Sequence, residues 1–267
     1  MPFTPSHAVV ALPFLRTPLV PAAIAVGAMT PDLALFTRGI PLRYSATHDP
    51  RWLPVTVLLA LGLLVLWRTV LRPACRELAP RWLAARLPGR WDAGARESLR
   101  ETFAGGAVAL GLLALSLTLG VLSHIAWDLF THEGRLGVEL FPVLADEVIG
   151  QPMYGWLQDL SSAAGLLVLG LFALSWLRRR TPVAIERQLP GLVRVTWWMS
   201  LPAILIATWI FGLALLGPLR PGFGIAHLAY LVLPPACALW AVVTVLLALV
   251  VSAARRRGLS GERSSDG

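Results

Sequence analysis

The stretch TFAGGAVALGLLALSLTLGVLSHIAWDLFTHEG, residues 102–134, decides the class of this chain. From 102 to 127 it holds no Asp, Glu, Lys or Arg, and a bilayer takes about 20 such residues to cross. It then closes on His124, Asp128 and His132, each four positions after the last. Ionisable groups at the edge of a span are expensive, and they point to function.

Composition agrees with lipid as the solvent. Apolar residues make up 56% of the 267-residue chain and charged ones 14%, where water-soluble domains average about 25% charged. Mean hydropathy is +0.68. All 23 basic residues are Arg, and the net charge is +8. Such a balance can serve nucleic acid, but here the arginines flank apolar runs, so no nucleic-acid partner is expected. The richness in Ala, Leu, Gly and Arg suits a bacterial source. Cys75 lies in a basic loop and Cys237 within a span, so neither a disulfide nor a thiolate metal site is expected. Nothing basic precedes the first apolar stretch, which Pro13 and Arg16 interrupt, so it reads as retained rather than as a cleaved signal.

The pattern predicts an all-α, polytopic transmembrane bundle: one integral-membrane domain over 1–253 and a basic, disordered tail over 254–267. Five spans are expected at 53–71, 102–127, 160–177, 197–217 and 225–253. Trp52, Trp67, Trp176, Trp197 and Trp198 fall near their ends, where indole prefers the headgroup level. Pro202, Pro234 and Pro235 fall inside spans and predict kinks. Arginine crowds 68–101, 178–196 and the C-terminal tail, whereas 132–159 holds Arg135 alone among acids. Counting Arg puts the first three in the cytoplasm of a bacterial inner membrane and 132–159 outside. The apolar run 7–29 is either a sixth span or a re-entrant pair of short helices. Pro13, Arg16, Pro18 and Pro21 favour the re-entrant pair, which brings the N-terminus, Asp32 and His48 to the outer side.

On a helix, His124, Asp128 and His132 share one face, each turned about 40° from the last and about 6 Å further along. His124 and Asp128 can grip one ion. His132 lies about 12 Å from His124, so it needs a second ion, an outer role, or an unwound helix before Gly134. The bland alternative is that these groups mark the bilayer boundary. In "FTPSH" Thr4 reads as a cap with Pro5 opening a helix, placing His7 in its first turn. "MTPDL" repeats this with Thr30, Pro31 and Asp32, and a carboxylate is favourable at that helix end in any case. "YSATHDP" sets His48 and Asp49 ahead of the next span. His227 reads as structural. The candidate metal set is therefore His7, Asp32, His48, His124 and Asp128, with His132 in reserve and Asp32 as ligand or general base. Imidazole and carboxylate without thiolate suit zinc, manganese or iron, and such an ion can activate water at neutral pH. Arg38, Arg43 and Arg51 could hold an anionic leaving group, with solvation the plainer role.

"PFTPSHAVVALPF", "AVGAMTPDLALF", "THDP", "SHIAWDLFTHEGRLGVELFP" and "PMYGWLQDLSSAAGLLVL" resemble the bacterial membrane-protein family known as domain of unknown function 4184, over roughly residues 1–180. More distantly, the order of these motifs is similar to inner-membrane metal-dependent hydrolases under DNA-damage control. That resemblance implies metal roles for His7, Asp32, His48, His124 and Asp128 and a supporting role for Thr131. The wider group carries a second acid where this chain has Ala34, and its HR-type motif is replaced by "SATH". Two functions follow as expectations. One is a metal-dependent hydrolase facing outward, acting on a lipid-linked or phosphoester substrate. The other is a non-enzymatic scaffold or transporter whose polar cluster binds an ion. Transport would place ionisable groups at mid-depth in several spans, and the last three lack them.

Overall fold

The computed structural model describes residues 4–37, 40–187 and 189–265, with side chains to Arg255. Arg38 and the side chains of Arg256 and Arg257 lie outside the described residues. The chain is helical. Among the described residues, strands are confined to the antiparallel pair Glu147–Val148 and Gln151–Pro152.

Six helices carry the architecture. The short α1 is Pro21–Met29. Five others are long and apolar enough to cross a membrane: α2, Pro50–Leu78; α3, Gly106–Thr131; α4, Met153–Arg178; α5, Gly191–Leu216; and α6, whose apolar part is Ile225–Arg255. Local chemistry explains where these differ from the expected spans. Gly106 adopts φ 75°, which separates α3 from the polar helix Ala95–Phe103, so α3 starts four residues late. It then runs on to Thr131, which keeps His124 and Asp128 on regular helix. Pro152, extended at φ −61° and ψ 149°, launches α4 at Met153. In α2 the turn Trp67–Leu71 is a π-helix. Pro73 lacks an N–H and would clash with the carbonyl four residues back, and the wider turn relieves that conflict. Pro202, Pro234 and Pro235 sit inside α5 and α6, which remain helical through them.

The chain forms two compact units, Met1–Ala34 with Pro41–Val65 and Glu101–Arg180, and Leu35–Ile40 with Leu66–Arg100 and Thr181–Gly267. In the second unit α5 meets α6 through Trp197 stacked on Trp240 at 5.1 Å. Their indole N–H groups donate to Thr244 at 3.0 Å and Ser200 at 3.1 Å. Trp197 is thus held by its neighbours rather than by headgroups. The arginines of this unit are also engaged. Arg194 meets the buried Glu77 at 3.3 Å, and Asp92 pairs with Arg76 at 2.9 Å and Arg255 at 3.2 Å. Cys75 and Cys237 are free.

The first unit is organised by a hairpin. A 3-10 helix, Thr4–Phe14, descends along α4, and α1 returns along α3. At the turn, the Val20 N–H donates to Ser116 Oγ at 2.9 Å. Ser116 lies eight residues before His124, a rise of about 12 Å. The hairpin thus runs out and back beside α3, the fold-back shape a re-entrant pair requires, and the backbone amide at its turn is met by a protein hydroxyl. The return is close because α1 and α3 touch through glycine. A Cβ added to Gly27 would lie 2.5 Å from the Leu117 carbonyl oxygen and 3.2 Å from the Gly120 Cα. Ile24, Ala28, Leu117 and Val121 bury their side chains around this crossing. Gly120→Val should therefore destabilise the detergent-solubilised protein by at least the 1–3 kcal/mol typical of overpacking. Gly111→Ala, where nothing lies within 4 Å, should be neutral or stabilising by about 0.5–1 kcal/mol. Thermal unfolding of both variants checks this, and equal effects would contradict the crossing.

Candidate metal centre

One turn beyond the glycine contact, His124 Nδ1 reaches the Ala28 carbonyl oxygen at 2.7 Å. A carbonyl only accepts, so Nδ1 carries the proton and Nε2 is left as a lone pair. His48 is set in the same way. It caps the short helix Tyr44–Thr47, and its Nδ1 donates to the Tyr44 carbonyl oxygen at 2.9 Å. Thr47 Oγ1 donates to the Pro31 carbonyl oxygen at 2.7 Å, which ties this helix to the segment carrying Asp32. Metal-binding histidines are commonly oriented by such outer carbonyl contacts.

The two Nε2 atoms then face each other at 3.2 Å. Asp128 Oδ2 lies 3.3 Å from that of His48 and 3.5 Å from that of His124. Asp32 Oδ1 lies 3.9 and 3.6 Å from the same two atoms. Exposure is 1% for Asp32, 3% for His48, 0% for His124 and 2% for Asp128. Two lone pairs and two carboxylates cannot sit together in a dry pocket without positive charge. One proton shared between the rings would leave both acids facing a single charge. Protons on both rings would set two N–H groups head on. A divalent ion satisfies all four atoms. Zinc bonds of about 2.0–2.1 Å imply tetrahedral edges of roughly 3.3 Å, and the triangle of His48, His124 and Asp128 has edges of 3.2, 3.3 and 3.5 Å. The donor set therefore fits a divalent ion, and His/Asp chemistry leaves zinc and manganese both open.

Around this triangle the other atoms are accounted for unevenly. Thr4 Oγ1 donates to Asp32 Oδ2 at 2.7 Å, freeing Oδ1 for the cluster. Asp128 Oδ1 and His7 Nε2 are buried with no hydrogen-bond partner. The His7 ring lies over that of His124, with centroids 4.1 Å apart. His7, Asp32 and His124 form a second group able to hold an ion, beside His48, His124 and Asp128. With His124 Nδ1 turned to Ala28, both groups depend on the same Nε2 and outline one site.

All five candidate ligands thus converge, and His132 takes one of the arrangements expected for it, whereas the two threonines expected as caps do not act as caps. α3 ends at Thr131, and His132 is extended at φ −133° and ψ 140°, so the helix unwinds before Gly134. His132 Nδ1 lies 3.7 Å from Asp128 Oδ2, and its Nε2 is 3.4 Å from Gln158 Nε2. Burial holds its imidazole below the usual basicity, with Asp128 opposing. Thr131 is buried, its hydroxyl 3.2 Å from His132 Nδ1. The two threonines read as caps do other work. Thr4 serves Asp32, and Thr30, at the end of α1, donates back to the Val26 carbonyl oxygen. Arg51 pairs with Asp49 at 2.6 Å in the open. His227 belongs to the second unit, beside Phe223 at 6.4 Å.

Tyr44 was missed by sequence reasoning. Its ring stacks on His48 at 3.8 Å and its hydroxyl donates to Asp128 Oδ2 at 3.4 Å. Burial raises its phenol well above the ordinary value, and the nearby carboxylates add to this. The signal was its place four residues before His48 on one short helix.

Fold and site define a class: multi-pass helical membrane proteins with a buried His/Asp cluster near the end of a spanning helix. Within that class the chain belongs to the family described as Domain of unknown function (DUF4184), which matches residues 1–254 and so takes in all five spans. No curated protein and no solved structure matches it. Because His132 stands behind Asp128, His132→Ala should weaken divalent-metal binding by about 10–100-fold. His124→Ala should abolish it. Calorimetric titration with zinc or manganese compares the two, and equal losses would place His132 among the direct ligands.

Proposed function

We propose that this protein is a metal-dependent hydrolase of a bacterial cytoplasmic membrane, acting on a lipid-linked or phosphoester substrate. His48, His124, Asp128 and Asp32 would hold the ion, with His7 completing or opening the set. Its C-terminus is cytoplasmic and its site opens toward the outer side. The orientation rests on the arginines of 68–101 and 178–196 set against the acidic 132–159. The single observation that carries the metal is the triangle of ligand atoms with edges of 3.2, 3.3 and 3.5 Å.

A divalent ion here would supply a Lewis acid able to activate water at neutral pH. The chain supplies the rest. The Ala28 and Tyr44 carbonyls hold the two rings in the tautomer that ligates. Thr4 occupies Asp32 Oδ2, which leaves Oδ1 for one of two roles, ligand to the ion or base that takes the proton from the water. Tyr44 O–H fixes Asp128 through one oxygen. The burial of all four residues excludes bulk water, which strengthens each charge interaction.

That same burial favours a second reading, a structural ion that ties the hairpin to α3, since closed four-ligand sites are the structural type. Elemental analysis of detergent-purified protein should find about one divalent ion per chain, lost in His124→Ala and in Asp128→Ala. Equal trace metal in all three would overturn the site. If the metal is present but the loaded protein turns over no lipid ester or phosphoester faster than His124→Ala, the structural ion stands and the hydrolase falls. If it is catalytic, removal of an acid–base group should cost about 10²–10⁴ in rate, and Asp32→Asn tests that directly.

A further inference from the structure

The four central residues are too buried to meet a substrate, so access has to come through a candidate ligand that is only half-buried. That residue is His7. It lines a groove of about 460 Å³ between the 3-10 helix Thr4–Phe14, α3 and α4, a size that suits a small ligand or one lipid chain. The groove is graded along its length. His7, Ser123 and Ser161 line the end near the cluster, and Val10, Ala164 and Val168 continue it along the helices. From Ser161 to Val168 is a rise of about 10 Å along α4, within a helix apolar enough to cross a bilayer. Trp127 Nε1 donates to Ser161 Oγ at 3.2 Å, which bonds α3 to α4 at the polar end. Gly165 lets the 3-10 helix pack closely on α4 beside the groove, since a Cβ there would lie 3.0 Å from the Ser6 carbonyl oxygen.

We propose that this groove seats one acyl chain of a glycerophospholipid, with its ester or phosphoester end at His7. The proposal rests on the hydrolase reading and names its substrate class. Three observations support this occupant. Its apolar walls are formed in part by α3 and α4, helices long and apolar enough to cross a membrane, where lipid chains are the surrounding medium. The polar end holds a buried imidazole nitrogen without a partner. The groove leads to the ligand cluster through that same imidazole, because His7 joins Asp32 and His124 in one ion-holding group.

The test uses full-length protein in phosphatidylethanolamine–phosphatidylglycerol nanodiscs containing phosphatidylglycerol with a diazirine near the end of one chain. After irradiation, labelled peptides are mapped, and metal content is measured on the same samples. Label should concentrate on Val10, Ala164, Gly165 and Val168. Val168→Trp should lower it at least fivefold with metal content unchanged, whereas Leu167→Trp, on the outward face of α4, should not. Uniform label over the outward faces of α4, or label indifferent to Val168→Trp, would overturn the proposal. So would displacement by a polyprenyl phosphate but not by unlabelled phosphatidylglycerol. The two readings fail separately. Groove labelling in a protein without metal would sink the hydrolase and keep the lipid slot. Metal without groove labelling would do the reverse.

Discussion

The contact between Gly27 and Gly120 is the constraint on which the site depends. Only where both residues lack a Cβ can the backbones of α1 and α3 come this close. That closeness carries the Ala28 carbonyl to His124 Nδ1, and the hydrogen bond turns Nε2 into the cavity. A helix pair held at an ordinary 8–10 Å separation by larger side chains would leave His124 free to rotate. The order of causes therefore runs from a small residue on each helix, to a shared backbone surface, to one imidazole tautomer, to a ligand atom in place. Close packing of this kind is how helices associate within lipid, where no hydrophobic gain is available between them.

The central atoms are joined by connections far apart in sequence. Thr4 meets Asp32, Thr47 meets Pro31, Tyr44 meets Asp128, and His48 meets His124. α3 contributes two groups, His124 and Asp128, and the other segments one each, held by backbone carbonyls or by hydroxyls. The cluster is buried, which makes every charge in it strong and every unmatched one costly. This explains how acids and imidazoles persist beside an apolar helix, and why a cation is the simplest thing that balances them.

Much of this was legible in the chain itself. The spans follow from runs without charge, and the His124–Asp128 row follows from helical spacing. The fold-back of the N-terminal segment was foreshadowed by Pro13, Arg16, Pro18 and Pro21. What stayed hidden depends on three-dimensional approach. Gly27 and Gly120 look like ordinary small residues until the helices are set side by side. Thr4 and Thr30 sit before proline in the pattern of helix caps, yet their hydroxyls answer to Asp32 and to Val26, because tertiary partners outcompete local ones. Tyr44 was overlooked because an aromatic residue in a loop carries no signal until its four-residue offset from His48 is seen on a helix. The apolar span ends by its pattern at 127, whereas the helix continues to Thr131, with the side chains of Asp128 and Thr131 buried in protein.

The bond from Ser116 to the Val20 amide has a consequence for biogenesis. The hairpin leaves the ribosome long before α3 is synthesised, yet its tip amide and its burial of His7 and Asp32 depend on α3. Inserted alone, it would face lipid with unmet polar groups, each costing several kcal/mol in hydrocarbon. The hairpin can therefore take its final place only once the helix carrying Ser116 and Gly120 is there to receive it, so this segment docks after a helix that follows it in the chain.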